Sequence, residues 1–296
     1  MSSSRGSAHL LISYIQADKP DIVTTANLRT GQHAGLFYRL MQPIQEPAAS
    51  EMPLVLLPGL LSDGRQFLRL ARLLRRRLCI VDPLGADQSE VPTHEADYQL
   101  SAQSDRLAEL LSALDFPTVD LAGFSMGGMW AQQLLIRHPQ RVRRVSLVAT
   151  TAATDPRLRS IVLGLSAQHQ AGVSGLNLFR TLLILFFSAD FLEPPSIIPM
   201  LEALWGEQQH APPAIAGQLA ALLSHDLREQ LSHTTQVTSV IAGSEDFLMP
   251  NKTQIKLATL CGLAAPVLIQ GAGHALWVER PDELASALIH ALPPDT

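Results

Sequence analysis

The chain is short of cysteine, of net charge and of long apolar runs, and each shortage removes a class of function. Only two cysteines occur in 296 residues. Cys79 sits in an apolar strand-like run and Cys261 at the end of a helix-like run, with no metal-ligand spacing around either. Two such thiols are too few for a disulfide scaffold and are expected to be buried in a reducing compartment, so the chain is expected in the cytoplasm. The longest apolar run, "LLILFF" from Leu182 to Phe187, is flanked by Arg180 and Asp190. It is far short of the roughly 20 residues a membrane span requires. The opening "MSSSRGSAHLLISYIQADKP" has too short an apolar stretch for a signal peptide and then turns charged. A net charge of −5 argues against a nucleic-acid surface. Arginines do cluster locally, at Arg72, Arg75, Arg76 and Arg77 and again at Arg141, Arg143 and Arg144. Each cluster lies near the end of a predicted helix, where cations complement the helix dipole.

What is present is a globular chain. A hydrophobic fraction of 47% with 17% charged residues excludes disorder. The length suits one large α/β unit with an insertion or two small domains. Residues 1–33 show no clear period and read as an N-terminal extension. "GLFYRLMQP" then reads as a strand and "EPAASEMP" as a turn. "LVLLPG" (54–59) and "LCIVD" (78–82) are short, continuous apolar runs, the pattern of strands buried on both faces. Between and after them, residues 65–76 and 98–114 carry leucines at helical spacing. "TVDLAG" is a strand, 126–138 a helix and "VSLVAT" a strand. This alternation implies a parallel sheet with helices on both faces.

The rhythm stops at about Asp155 and resumes at "QVTSVIAG", which is followed by a helix at 251–259, the strand "PVLIQG" and a helix at 281–292. Residues 155–233 are helix-like and leucine-rich, and they are punctuated by Pro194, Pro195, Pro199, Pro212 and Pro213. The reading is an α/β core over 34–154 and 234–296, interrupted by a helical insertion.

"DLAGFSMGGMWAQQ" (120–133) places three glycines and a serine where strand must meet helix. If one residue makes that turn, it is forced to positive φ and its neighbours two before and two after must be small. Gly123, Ser125 and Gly127 meet that demand. Ser125 is then held proud at the carboxyl edge of the sheet, above a helix N-terminus whose N–H groups point at whatever the hydroxyl attacks. Serine is a poor nucleophile without a base oriented by an acid. Later strand-end loops offer both, Asp246 in "AGSEDFLMP" and His274 in "QGAGHALWVERPDEL". Asp155, in "TTAATDP", is a second candidate acid, and it is equally placed to cap the helix that follows.

With these features the chain resembles the α/β-hydrolase-fold serine hydrolases over about 35–154 and 235–296. "VDPLGADQS" is similar to that family's D-x-x-G-x-G-x-S loop, with Asp87 in place of the second glycine. "RHPQRV" and "ERPDEL" are also familiar there. "LLPGLLSDG" resembles its oxyanion loop, with Pro58 where a histidine is usual. The resemblance implies oxyanion donors at the Leu60 and Met126 N–H groups and a helical cap at 155–233. It also implies ester hydrolysis through Ser125, His274 and Asp246 with no metal or organic cofactor. The expected partner is a small apolar ester or acyl compound. Lactones, thioesters and carbon–carbon bonds are alternative targets for the same triad, and a non-catalytic ligand-binding protein of the fold is the alternative class. Asp82 and Asp87 are expected to be structural, and His138, His225 and His233 to be surface or capping residues. Phe179, Phe186, Phe187 and Trp205 line an acyl pocket or, more simply, pack helices together.

Overall fold

A computed structural model describes residues 28–42, 52–206 and 210–294. Its centre is an eight-stranded sheet in the order β1-β2-β4-β3-β5-β6-β7-β8. The apolar runs form the inner parallel strands β3 (Leu54–Leu57), β4 (Leu78–Val81) and β5 (Val119–Phe124), and every residue in them is buried. β6 (Val142–Val148), β7 (Val237–Gly243) and β8 (Val267–Ile269) extend the parallel sheet on one side. On the other side β2 (Leu36–Met41) runs antiparallel to β4, and β1 (Leu28–His33) antiparallel to β2.

β1 adds what the reading of 1–33 as an extension without a clear period did not foresee, because the last six of those residues are an edge strand. The strand "LRTGQH" is half-buried at two positions and exposed at the other four, so it carries no hydrophobic alternation for a sequence reading to detect. The rest of that extension, and most of the expected turn at "EPAASEMP", lie outside the described residues.

The helices follow from the connections. α1 (Leu68–Leu74) joins β3 to β4, one step toward the antiparallel edge. α2 (Leu100–Ala113) then carries the chain back across β3 to β5, and α3 (Met126–Arg137) carries it on to β6. Right-handed crossovers put helices that travel in opposite directions on opposite faces of the sheet. α2 accordingly packs on α3, while α1 packs on the last helix, which is α9 below. The reversal of direction lies between β3 and β5, so the loops leaving those two strands flank the crevice where open α/β sheets bind ligands.

Between β6 and β7 the chain is helical: α4 (Pro156–Gln170), α5 (Gly175–Phe186), α6 (Ile197–Gly206) and α7 (Pro212–Leu223), with single helical turns at Ala189–Leu192 and Arg228–Leu231. α8 (Asn251–Leu260) and α9 (Pro281–Ala291) complete the fold, with one turn at Leu276–Glu279 between β8 and α9. Among the described residues no helix is long and apolar enough to cross a membrane.

Arg72 and Arg141 lie in last helical turns as expected, but three other members of the arginine clusters do something else. Arg76, Arg143 and Arg144 converge on the fully buried carboxylate of Asp120, at 3.1, 2.8 and 2.9 Å, where β5 and β6 begin. Burial alone would raise the Asp120 carboxyl, but hydrogen bonds from Arg143 and Arg144 outweigh it and hold the group below its ordinary value. Asp82 and Asp87 are structural as expected: Arg39 pairs with Asp82 at 2.7 Å and also with Asp87. Asp87 takes φ +45°, the left-handed conformation a glycine would provide in that loop. Burial pushes Asp82 up to about 7 against the pull of Arg39.

Candidate active site

The site begins at the turn between β5 and α3. Ser125 has φ 53° and ψ −118°, so a single non-glycine residue makes the whole turn in a strained conformation. The glycines around it permit this. A Cβ on Gly123 would strike the Gly127 carbonyl, and one on Gly127 would strike the Leu57 carbonyl at the end of β3. The turn is therefore wedged against the loop that leaves β3. That loop also touches the serine directly: a Cβ on Gly59 would lie 3.1 Å from Ser125 Cβ and 3.7 Å from its Oγ. The Ser125 carbonyl accepts from Gly128 N at 2.9 Å and Thr150 Oγ1 at 2.7 Å, which fixes the turn to the start of α3. Ser125 itself is 8% exposed.

Two further loops converge on the same edge. Three residues past β7, Asp246 Oδ1 accepts from the amides of Leu248 at 2.9 Å and Met249 at 2.7 Å. Its Oδ2 lies 2.9 Å from His274 Nδ1. Both groups are buried, and a carboxylate at Nδ1 selects the tautomer that carries its proton there. His274 Nε2 is then left as the basic nitrogen, and it is buried without a hydrogen-bond partner among the described residues. The structure thus joins Asp246 to His274 and leaves the rival acid elsewhere. Asp155 caps α4, accepting from Leu158 N at 2.8 Å.

A small, partly open pocket lies against Ser125. Its walls are aliphatic or aromatic: Leu158, Val162 and Leu165 from α4, Leu182 and Phe186 from α5, Leu222 from α7, and Leu248 and Met249 from the Asp246 loop. Leu60 closes it beside the serine, which is its one polar lining side chain. Of the four aromatics singled out in the sequence, only Phe186 lines this space, with its ring centroid 5.2 Å from that of His274. Phe179 stacks on Trp205 at 4.3 Å, and Phe187 lies edge-on to Trp205 at 6.1 Å. These three pack helices together.

Several contacts that shape the site escaped the sequence reading, although one of the residues making them, Trp205, had been singled out for its ring. Glu279 is buried, and its carboxylate accepts from Gly273 N at 3.0 Å, Ser188 N at 3.2 Å and Ser188 Oγ at 2.6 Å. It ties the His274 loop to the chain just after α5, and Ala275 N adds a bond to Phe186 O at 2.8 Å. Burial raises the Glu279 carboxyl above its ordinary value, against the bonds from Ser188 and Gly273. Arg157 of α4 donates to the carbonyls of Leu248, at 2.9 Å, and Phe247. Gln218 and Trp205 reach Leu61 in the loop after β3. The only available signals were polar residues inside helical segments, which most often face water.

His225, expected near the surface, is 4% exposed, with Nε2 3.1 Å from Gln132 Oε1. His138 pairs with Asp105 at 2.7 Å. Cys79 and Cys261 are both buried and unbridged, and burial raises both thiols, Cys261 to about 11. Among the described residues, no group of three or more His, Cys, Asp or Glu is placed to hold a metal ion.

Comparison with known proteins identifies the family and the fold. A family model for the alpha/beta hydrolase fold matches residues 52–281. The chain is 30% identical over 224 residues to 2-hydroxymuconate semialdehyde hydrolase of Pseudomonas sp. (strain CF600), covering 71% of this chain and 74% of the relative. It is 28% identical over 247 residues to a pimeloyl-[acyl-carrier protein] methyl ester esterase of Chromobacterium violaceum, covering 80% of this chain and 93% of the relative. Among solved structures it superposes on a hydrolase from Pseudomonas aeruginosa PA01 with a TM-score of 0.76 at 25% identity, covering 91% and 100% of the two chains. The enol-lactonase from Burkholderia xenovorans LB400 gives a TM-score of 0.76 at 22% identity, with 89% and 99% covered.

Proposed function

Because the chain belongs to the alpha/beta hydrolase fold family and is a hydrolase, we propose that it cleaves an uncharged carboxylic ester through a covalent acyl-enzyme on Ser125. Ser125 Oγ attacks the carbonyl carbon while His274 Nε2 takes its proton. Asp246 holds the imidazole tautomer and stabilises the imidazolium. The Leu60 and Met126 N–H groups receive the developing oxyanion, each donor worth about 3 kcal/mol in the transition state. His274 returns the proton to the leaving alcohol, and water then releases the acid by the same steps. The helices of 155–233 act as a cap whose inner walls form the acyl pocket.

The observation that carries this reading is the lining of the pocket. Among the described residues that line the pocket, none but Ser125 has a polar side chain to receive a carboxylate or an amine, so a charged acyl group would be desolvated without compensation. Apolar acyl groups gain about 0.8 kcal/mol per buried methylene. The same lining disfavours a carbon–carbon bond hydrolase acting on an acidic substrate.

The test is a panel of p-nitrophenyl esters of graded acyl length, with succinyl esters, lactones and thioesters alongside. kcat/KM should rise with acyl length until the pocket fills, and the succinyl esters should be poor substrates. Ser125→Ala should lose fluorophosphonate labelling and at least 10⁴-fold in turnover. Full activity in that variant would end the serine mechanism. Labelling of Ser125 without turnover of any panel member would favour a ligand-binding protein.

A further inference from the structure

The loop that follows β3 depends on the helical segment for its shape. Residues 58–61 begin with a proline, which has no N–H, and continue through Gly59 to Leu61, which adopts φ +50°. A leucine holds that left-handed conformation only where its surroundings over-determine it. Here both of its backbone polar groups are engaged from 155–233. Leu61 N donates to Gln218 Oε1 at 3.3 Å, and Leu61 O accepts from Trp205 Nε1 at 3.2 Å. Gln218 is fully buried and its Nε2 donates to Leu84 O at 3.0 Å, so its amide is oriented from both ends. α7 is itself seated closely on the core, because a Cβ on Gly217 would strike the Tyr98 ring. Trp205 is held by its stack on Phe179.

We propose that Gln218 and Trp205 are positioning residues that clamp the oxyanion loop through Leu61, so that the helical segment sets the direction of the Leu60 N–H as well as walling the acyl pocket. This rests on the ester-hydrolase reading above. The residue before the clamp, Leu60, lines the pocket beside Ser125, and Gly59 touches that serine. Release of Leu61 lets its φ return to negative values and turns the adjoining peptides away from Ser125. Substrate binding in the apolar pocket is unaffected by that turn, whereas the tetrahedral state loses a donor.

Two substitutions test this. Trp205→Phe keeps a ring against Phe179 and removes the Nε1–H donor, together with part of the indole's buried volume. Gln218→Met keeps the length and removes both amide bonds. Each should lower kcat about tenfold and the double variant about 100-fold, within the 10²–10³ seen when an oxyanion donor is deleted outright. KM should stay within twofold. Inhibition by an alkyl trifluoromethyl ketone, which forms an oxyanion on the serine, should weaken in the same proportion as kcat, while inhibition by the matching carboxylic acid product should not move. A residue that merely supports the fold would lower the melting temperature and raise KM without changing that ratio, and this result overturns the clamp. Unchanged kcat in folded Trp205→Phe overturns it as well, even if Gln218→Met fails to fold. Wild-type labelling by fluorophosphonate separates the two levels. No labelling of Ser125 sinks the ester reading and the clamp with it; labelling with an unchanged inhibitor ratio sinks the clamp alone.

Discussion

The two ends of the sheet each bury an aspartate, and the difference between them lies in the partners. At the amino edge, Asp120 meets Arg76, Arg143 and Arg144. At the carboxyl edge, Asp246 meets two backbone amides and one imidazole. Both carboxylates are shielded from water. Guanidinium groups stay charged at any pH the fold survives, so the Asp120 cluster is a permanent ion network that locks β5, β6 and the α1–β4 connection together. Asp246 has no guanidinium partner: two peptide N–H groups and one ring nitrogen hold it, so no permanent ion network forms there. Burial alone therefore does not distinguish the two acids; the chemistry of their partners does.

That contrast can be broken by exchanging charge for shape at each end. Asp246→Asn keeps the acceptor for Leu248 and Met249 but presents a donor to His274. Turnover should fall about 10⁴-fold while the melting temperature changes little. Near-normal turnover would remove Asp246 from the triad. Asp120→Asn should do the reverse. Three arginines left around a neutral amide should cost about 4 kcal/mol of stability by denaturant unfolding, with kcat of the folded enzyme unchanged. A selective loss of kcat there would make the amino edge part of the site.

A third buried group sharpens the comparison, because its partner is neutral. Burial holds the His225 imidazole down to about 4, against 6.5 when unfolded, and Gln132 offers no compensating charge. At neutral pH the residue carries no penalty. As pH falls from 6.5 toward 4, the unfolded chain takes up a proton that the folded one refuses, and stability drops by up to about 3 kcal/mol. His225→Gln should flatten that part of the melting-temperature profile, and an unchanged slope would assign the acid sensitivity elsewhere. The smallest effect belongs to Asp155. As a helix cap rather than an acid for His274, its replacement by asparagine should alter stability by a few tenths of a kcal/mol and turnover less than twofold. A crippled Asp155→Asn with a healthy Asp246→Asn would move the acid to the loop after β6.

Local chemistry made much of this molecule readable from its sequence. A strand buried on both faces must be a short apolar run, and β3, β4 and β5 are. A one-residue turn demands small neighbours, and Gly123 and Gly127 mark it. Strand-end loops put Ser125, Asp246 and His274 on one edge, since parallel strands all finish on the same side. Other features left no local trace. β1 sits at an exposed edge, where no hydrophobic alternation is needed. Arg143 and Arg144 read as the end of a helix until the sheet placed them around Asp120, on a neighbouring strand. Asp155 was the rival acid, and the fold sets it apart as the cap of α4. Gln218, Trp205 and Glu279 act across more than 90 residues of separation or on backbone groups. A hydrogen bond to a peptide group carries no side-chain signature at its other end, so only the folded chain could reveal which helices hold the loops in place.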